Sequence, residues 1–236
     1  MNRVAFCQIF LLTWIPLFLL QEGCFVMASP VPIVQLGDPI LHDNARALSM
    51  DEIHSPYIQS IIQTMHDTVH GTGVGLAAPQ IGYSLQIVVI EDLPEYIDRL
   101  PLEVREERGR KAIPFHVLIN PKIIWMDQEK ALFFEGCLSI SNSARIVPRA
   151  KHLSVEFLDE KGERHEVIAE GWYARILQHE IGHLHGTLFI DVSDPHTAVT
   201  MEEYKTKWLY ARATDIKQFY DEQLKKENTD YQGTEL

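Results

Sequence analysis

His179-Glu180-Ile181-Gly182-His183 restricts the fold of this chain more than any other stretch. Residues four apart stand one turn above each other on an α-helix, so the two imidazoles share a face and can reach one ion. The surrounding pattern asks for that helix. From Gly171 to Leu184, Trp172, Ile176, His179 and His183 recur at spacings of 4, 3 and 4. Glu180 lies beside the rings, placed to take a proton from a water at the ion. Trp172 and Ile176 share the face of His179 and are expected to wall a pocket next to it.

A catalytic metal needs a third protein ligand and one open position. In a common zinc-peptidase pattern a further histidine follows six residues after the second, but here that position is Phe189. The class is therefore disfavoured. Cys137, within Phe134-Glu135-Gly136-Cys137-Leu138-Ser139, is the candidate third ligand. A thiolate with two imidazoles suits Zn2+ or Fe2+ and disfavours magnesium or calcium. Cys7 and Cys24 fall in an apolar leader, so Cys137 is the one thiol in the body of the chain and has no internal disulfide partner. A third segment, Gly73-Val74-Gly75-Leu76-Ala77-Ala78-Pro79-Gln80-Ile81-Gly82, combines glycines that let backbone pass close to a ligand with alanines that let Gln80 approach a partner element. The Gln80 amide could then donate to a developing oxyanion. His42, His116, His152 and His165 show no such arrangement and are expected to be solvated or locally bonded.

Length, composition and charge narrow the class. The 236 residues are 46% hydrophobic and 23% charged, which is globular and sufficient for one domain plus tails. A net charge of −12 gives no attraction to a phosphate backbone, so no direct nucleic-acid binding is expected. Residues 4–20 are nearly all apolar, preceded by Arg3 and followed by the short side chains of Val26-Met27-Ala28. Residues 1–28 therefore read as a targeting leader, the apolar run at 4–20 being slightly short for a comfortable membrane span. Its composition favours secretory entry or an anchor over a mitochondrial presequence.

Behind the leader, Ile53, Tyr57, Ile61, Met65 and Val69 mark one helical face, stopped by Gly71, Gly73 and Gly75. Strands are expected at 85–90, 115–119, 131–134, 153–158 and 166–169, with Asp159-Glu160-Lys161-Gly162 turning a hairpin. Residues 91–114 read as a charged surface insertion with some helix. Leu209, Ala213, Ile216, Tyr220 and Leu224 mark a last helix. The expected fold is α+β, with antiparallel or mixed sheets around a central metal-binding helix. The catalytic domain spans 29–195, and 196–236 holds a C-terminal helix and a frayed tail.

The three motifs together, Gly73 to Gln80, Glu135 to Ser139 and Gln178 to Gly186, resemble peptide deformylase in order and spacing. The resemblance runs from about Val34 to Val192 and, by the insertion after Ile90 and by Trp172, is nearer the eukaryotic, mitochondrial-type enzymes. It implies hydrolysis of the N-formyl group from the initiator methionine of nascent polypeptides, close to organellar ribosomes, and so a mitochondrial location, with the secretory entry or anchoring that the leader suggests as the alternative. It also implies Cys137, His179 and His183 as ligands of one divalent ion, Glu180 as general base and acid, and Gln80 with the Leu138 backbone N–H as oxyanion donors. Val74 and Gly75 match the edge along which the peptide lies as an added strand. Gly136, beside the cysteine, is grouped with these substrate-binding positions. In one respect the chain departs from the family. Gly182 stands where the family carries an aspartate that pairs with an arginine corresponding to Arg149, which leaves Arg149 to find another partner and puts a glycine inside the helix. Restoring a carboxylate there is expected to stabilise the chain, unless its surroundings have closed on the glycine. A secreted zinc peptidase and a catalytically impaired relative are the competing readings.

Overall fold

The computed structural model describes residues 30–232, so the expected leader at 1–28 lies outside the described residues. Four helices carry most of the helical content: α1 (Pro56–Val69), α2 (Leu102–Arg108), α3 (Gly171–Leu184) and α4 (Ala213–Gln232). Among the described residues, eight strands form two antiparallel sheets. They are β1 (Gly75–Ala77), β2 (Ile87–Asp92), β3 (Ile113–Met126), β4 (Lys130–Cys137), β5 (Ile140–Ala150), β6 (His152–Leu158), β7 (Arg164–Glu170) and β8 (Val199–Thr200). The larger sheet has the order β1-β2-β3-β6-β7 and the smaller β4-β5-β8. No helix among the described residues is long and apolar enough to cross a membrane.

The large sheet is covered on both faces, which explains the unbroken apolar run in β2. Alternation sends Ile87 and Val89 toward α1, where they pack with Ile61, Met65 and Val69. Val88 and Ile90 point the other way, into a core with Ala174, Leu177 and Ile181 of α3. α1 begins cleanly because the Ser55 side chain accepts from the Ile58 N–H and Pro56 sits in the first turn. It ends at Val69, before Gly71, whose φ of +73° suits a residue without a side chain.

Three features differ from the sequence expectation. β5 is not marked by an apolar run, because it is polar at its start and contains Pro148. That proline is tolerated where β5 has a strand neighbour on one side only, with β8 pairing at Ser143 and Ala144 alone. The 91–114 segment is no loose surface insertion. Arg110 holds the buried Asp92 through two hydrogen bonds of 2.7 and 2.8 Å, and the buried Arg108 donates to the backbone carbonyls of Leu209 and Ala211. The last helix starts at Ala213, after a π-helical turn at Tyr204–Trp208 that interrupts the apolar spacing.

Candidate active site

β4, β5 and α3 bring the chemistry together. β4 ends on a register shift between Glu135 and Cys137, so Cys137 faces Ile140 across a tight reversal through Leu138 and Ser139. α3 runs behind it with His179 and His183 on one side, their ring centroids 5.1 Å apart. One ligand atom each from Cys137, His179 and His183 lies within 4.8 Å of the others, and Cys137 Sγ is 3.3 Å from His183 Nε2.

A cavity of about 530 Å³ opens in front of this group. Val74, Gly75, Gln80, Gly136, Cys137, Leu138, Trp172, Ile176, His179 and Glu180 all line it. His183 sits just behind, almost fully buried. The structure thus gathers every side chain that the sequence singled out. Gln80 is buried and its orientation is set: its Oε1 accepts from the Ala77 N–H at 2.9 Å. Its Nε2 donates to Ser139 Oγ at 3.2 Å and reaches Cys137 Sγ at 3.4 Å. Gly75 has to be glycine, because a Cβ there would lie 2.5 Å from Glu180 Oε1.

The residue that organises the ligands is Glu135. Its buried carboxylate accepts from Arg149 at 3.0 and 2.8 Å and from Arg175 at 2.7 Å, and it faces His179 Nδ1 at 2.9 Å. Burial alone would raise this carboxyl, but Arg149, the His179 hydrogen bond and Arg175 hold it well below the ordinary range. His179 responds in kind. Burial opposes its charge, yet hydrogen bonds with Cys137 and Glu135 push it up to about 10. His183 goes the other way, held well below its ordinary value by burial and by the neighbouring charge on His179. Burial lifts Glu180 to about 7, against the pull of His179.

The residues fit one divalent ion. With Nδ1 of His179 occupied by Glu135, its Nε2 is the nitrogen left for an ion, beside a thiol and a second imidazole. Glu180 Oε2 is buried without a hydrogen-bond partner in the protein, and Gly75 is cut away to make room for that carboxylate. Desolvating an acid this way is costly unless something in the cavity engages it.

A sequence profile of the polypeptide deformylase family matches residues 30–199. The chain belongs to the polypeptide deformylase family. It is 44% identical over 171 residues to the chloroplastic peptide deformylase 1A of Solanum lycopersicum, and 45% identical over 171 residues to the chloroplastic/mitochondrial peptide deformylase 1A of Arabidopsis thaliana. Each match covers 72% of this chain but only 62% and 64% of those relatives' own length. The human mitochondrial peptide deformylase is 35% identical, with 73% of both chains covered. A Met-Ala-Ser-bound class I type b deformylase from Acinetobacter baumannii superimposes with a TM-score of 0.62 at 32% identity, covering 70% of this chain and 99% of that one. Proteins of the deformylase family are metal-dependent, which agrees with the donor set described above.

Two parts of this site have roles that the motifs do not make evident. Glu135 and Arg175 carry the ionic network, and a signal for both exists: Glu135 is two residues from Cys137 on a strand, and Arg175 is four from His179 on a helix. Met201, Tyr204 and Lys205 also line the cavity, from beyond the stretch that the family profile matches, and nothing local marks them. Arg149 has its substitute carboxylate in Glu135. A Cβ on Gly182 would stand 3.0 Å from the Thr187 carbonyl oxygen. That carbonyl has little freedom, because the Thr187 N–H donates back to Gly182 and Gly186 is pressed against His42 backbone. A side chain at Gly182 would press on that carbonyl, so the second branch of the expectation, destabilisation by Gly182→Asp, is the one this contact favours.

Proposed function

We propose that this chain hydrolyses the N-formyl group from the initiator methionine of nascent polypeptides and releases formate, using Fe2+ or Zn2+ held by Cys137, His179 and His183. The ion, when bound, acts as a Lewis acid on the formyl oxygen and makes water more acidic. Glu180 takes the proton from the attacking water and returns one to the leaving amine as the C–N bond breaks. The Gln80 amide and the Leu138 N–H face the oxygen on which negative charge develops. Val74 and Gly75, on the edge of β1, receive the peptide backbone as an added strand, with Gly136 opposite. Trp172 and Ile176 wall the methionine pocket. The observation that carries this reading is the buried Glu180 carboxylate, its Oε2 unpartnered and its other side packed on Gly75, beside a Cys-His-His cluster.

We place the protein in a mitochondrion, close to organellar ribosomes and without direct contact to nucleic acid. Formylated chains arise on organellar ribosomes, and three of its relatives are named for mitochondria or chloroplasts. The test is formate release from a formyl-Met peptide, run beside acetyl-Met and unmodified peptides, with bound metal measured on the same preparation. Activity confined to the formylated peptide supports the proposal. Cleavage of unmodified peptide bonds would indicate a zinc peptidase instead, and a metal-loaded protein inert on all three would indicate an impaired relative.

A further inference from the structure

A second group of metal-ligating side chains lies outside this site, at the C-terminal end of α1. His66 and His70 stand one turn apart with ring centroids 5.5 Å apart, and Glu91 reaches them from β2. One nitrogen from each ring and one carboxylate oxygen lie within 4.8 Å of one another. His70 Nδ1 is already 2.6 Å from Glu91 Oε2. The His66 ring is fixed from two sides. Phe115 packs edge-on at 4.4 Å, and the Asp67 carboxylate stands 3.3 Å from Nδ1. A carboxylate on one imidazole nitrogen fixes the ring and makes the other nitrogen a better donor, the service that Glu135 gives to His179. The three side chains are 31%, 53% and 13% exposed, so an ion and a completing water can arrive from solution.

We propose that His66, His70 and Glu91 bind a second divalent transition-metal ion, zinc by preference, in addition to the one at Cys137. Two imidazoles and a carboxylate form a zinc donor set, whereas calcium and magnesium demand oxygen ligands. The position gives such an ion a consequence. His70 precedes Gly71, residues 72–75 line the active-site cavity, and the Glu91 N–H donates to the Val74 carbonyl at 3.1 Å. An ion joining His70 to Glu91 therefore ties the start of the segment that forms one wall of the cavity to the strand that pairs with its end. This clamps the β1 edge without touching the Cys137 site.

Cobalt distinguishes the two sites. A thiolate-bound Co2+ gives an intense sulfur-to-metal band in the near ultraviolet, and a site of nitrogen and oxygen donors gives only weak visible bands. Full-length protein loaded with one equivalent of Co2+ is titrated with more, and melting temperature is followed with Zn2+ in parallel. The expected result is a second equivalent per chain that adds visible absorption with no further ultraviolet band, a melting temperature that rises with added Zn2+, and slower amide exchange across residues 71–75. The double variant His66→Gln/His70→Gln should keep the first equivalent while losing the second and, with it, the rise in melting temperature on added Zn2+. Asp67→Asn should weaken the second equivalent roughly tenfold. Saturation at one equivalent, or a second equivalent that survives in the double variant, would overturn the site. Unchanged amide exchange at 71–75 would overturn the clamp.

Discussion

His179 and His183 are the same residue type one turn apart on one helix, and the protein treats them differently. His179 has its Nδ1 held by Glu135, which is itself fixed by Arg149 and Arg175, and its ring lies nearly parallel to Phe189 at 6.1 Å. His183 Nδ1 is buried with no hydrogen-bond partner, and the ring is kept in place by packing and by the Cys137 sulfur 3.3 Å from its Nε2, with no carboxylate behind it. Phe189, which stands where a peptidase would carry its third histidine, serves as packing for the first. One half of the ligand set is thus positioned by charge and the other by shape. Charge is directional and costly to unbalance, while packing tolerates small changes, so damage on the His179 side should be much the greater.

The largest expected effect follows from Glu135→Gln. It leaves two buried guanidiniums facing a neutral amide, and breaking a buried pair in this way costs about 3–5 kcal/mol. Thermal unfolding should show that loss, and metal titration should show a ~10–100-fold weaker ion, because His179 loses its orienting carboxylate. The pH dependence has a definite sign. The Glu135 pKa is lowered in the folded state, so its contribution is present above the ordinary carboxylate value of 4.5 and fades as pH falls below it. Acid unfolding should therefore be steeper in the wild type than in the variant. An unchanged acid limb would show that the network is not what holds this side.

On the His183 side, Gly182→Asp should lower the melting temperature by the equivalent of ~1–3 kcal/mol, the usual range for overpacking, with the ion retained. A higher melting temperature would mean that the Thr187 loop yields and that Arg149 accepts a second carboxylate. The smallest effect concerns Trp172, whose ring lies 5.2–5.8 Å from the guanidinium carbons of Arg110, Arg108 and Arg175 while lining the cavity. Trp172→Leu should shift the preference among formylated peptides by roughly tenfold, more than it alters turnover of a small formyl-Met substrate. Equal loss on all substrates would assign the indole to packing between the three arginines.

The α3 helix was legible to the residue, because apolar and ligand positions share one period over Gly171–Leu184. The three motifs likewise name the side chains that meet at the cavity. β5 was not legible, since its polar start and Pro148 obey neither strand propensity nor alternation, and only pairing with β4 makes it a strand. The ionic network escaped for a related reason. Arg149 and Arg175 are far apart in sequence, and only the docking of α3 on the β4–β5 hairpin brings both guanidiniums to one carboxylate. The wall supplied by Met201, Tyr204 and Lys205 depends on the path of the chain after β8, which no local pattern records.

The central claim is that Glu180 is the proton-transferring group beside an ion held by Cys137, His179 and His183. The most direct measurement compares wild type and Glu180→Gln for bound metal and for formate release from a formyl-Met peptide across pH. Both proteins should carry the same metal, and the variant should lose ~10²-fold or more in turnover. Wild-type kcat/KM should fall as acid protonates Glu180, whose carboxyl burial raises to about 7 before any ion is bound and which a neighbouring cation draws lower. A glutamine variant with full metal and normal turnover would contradict the account.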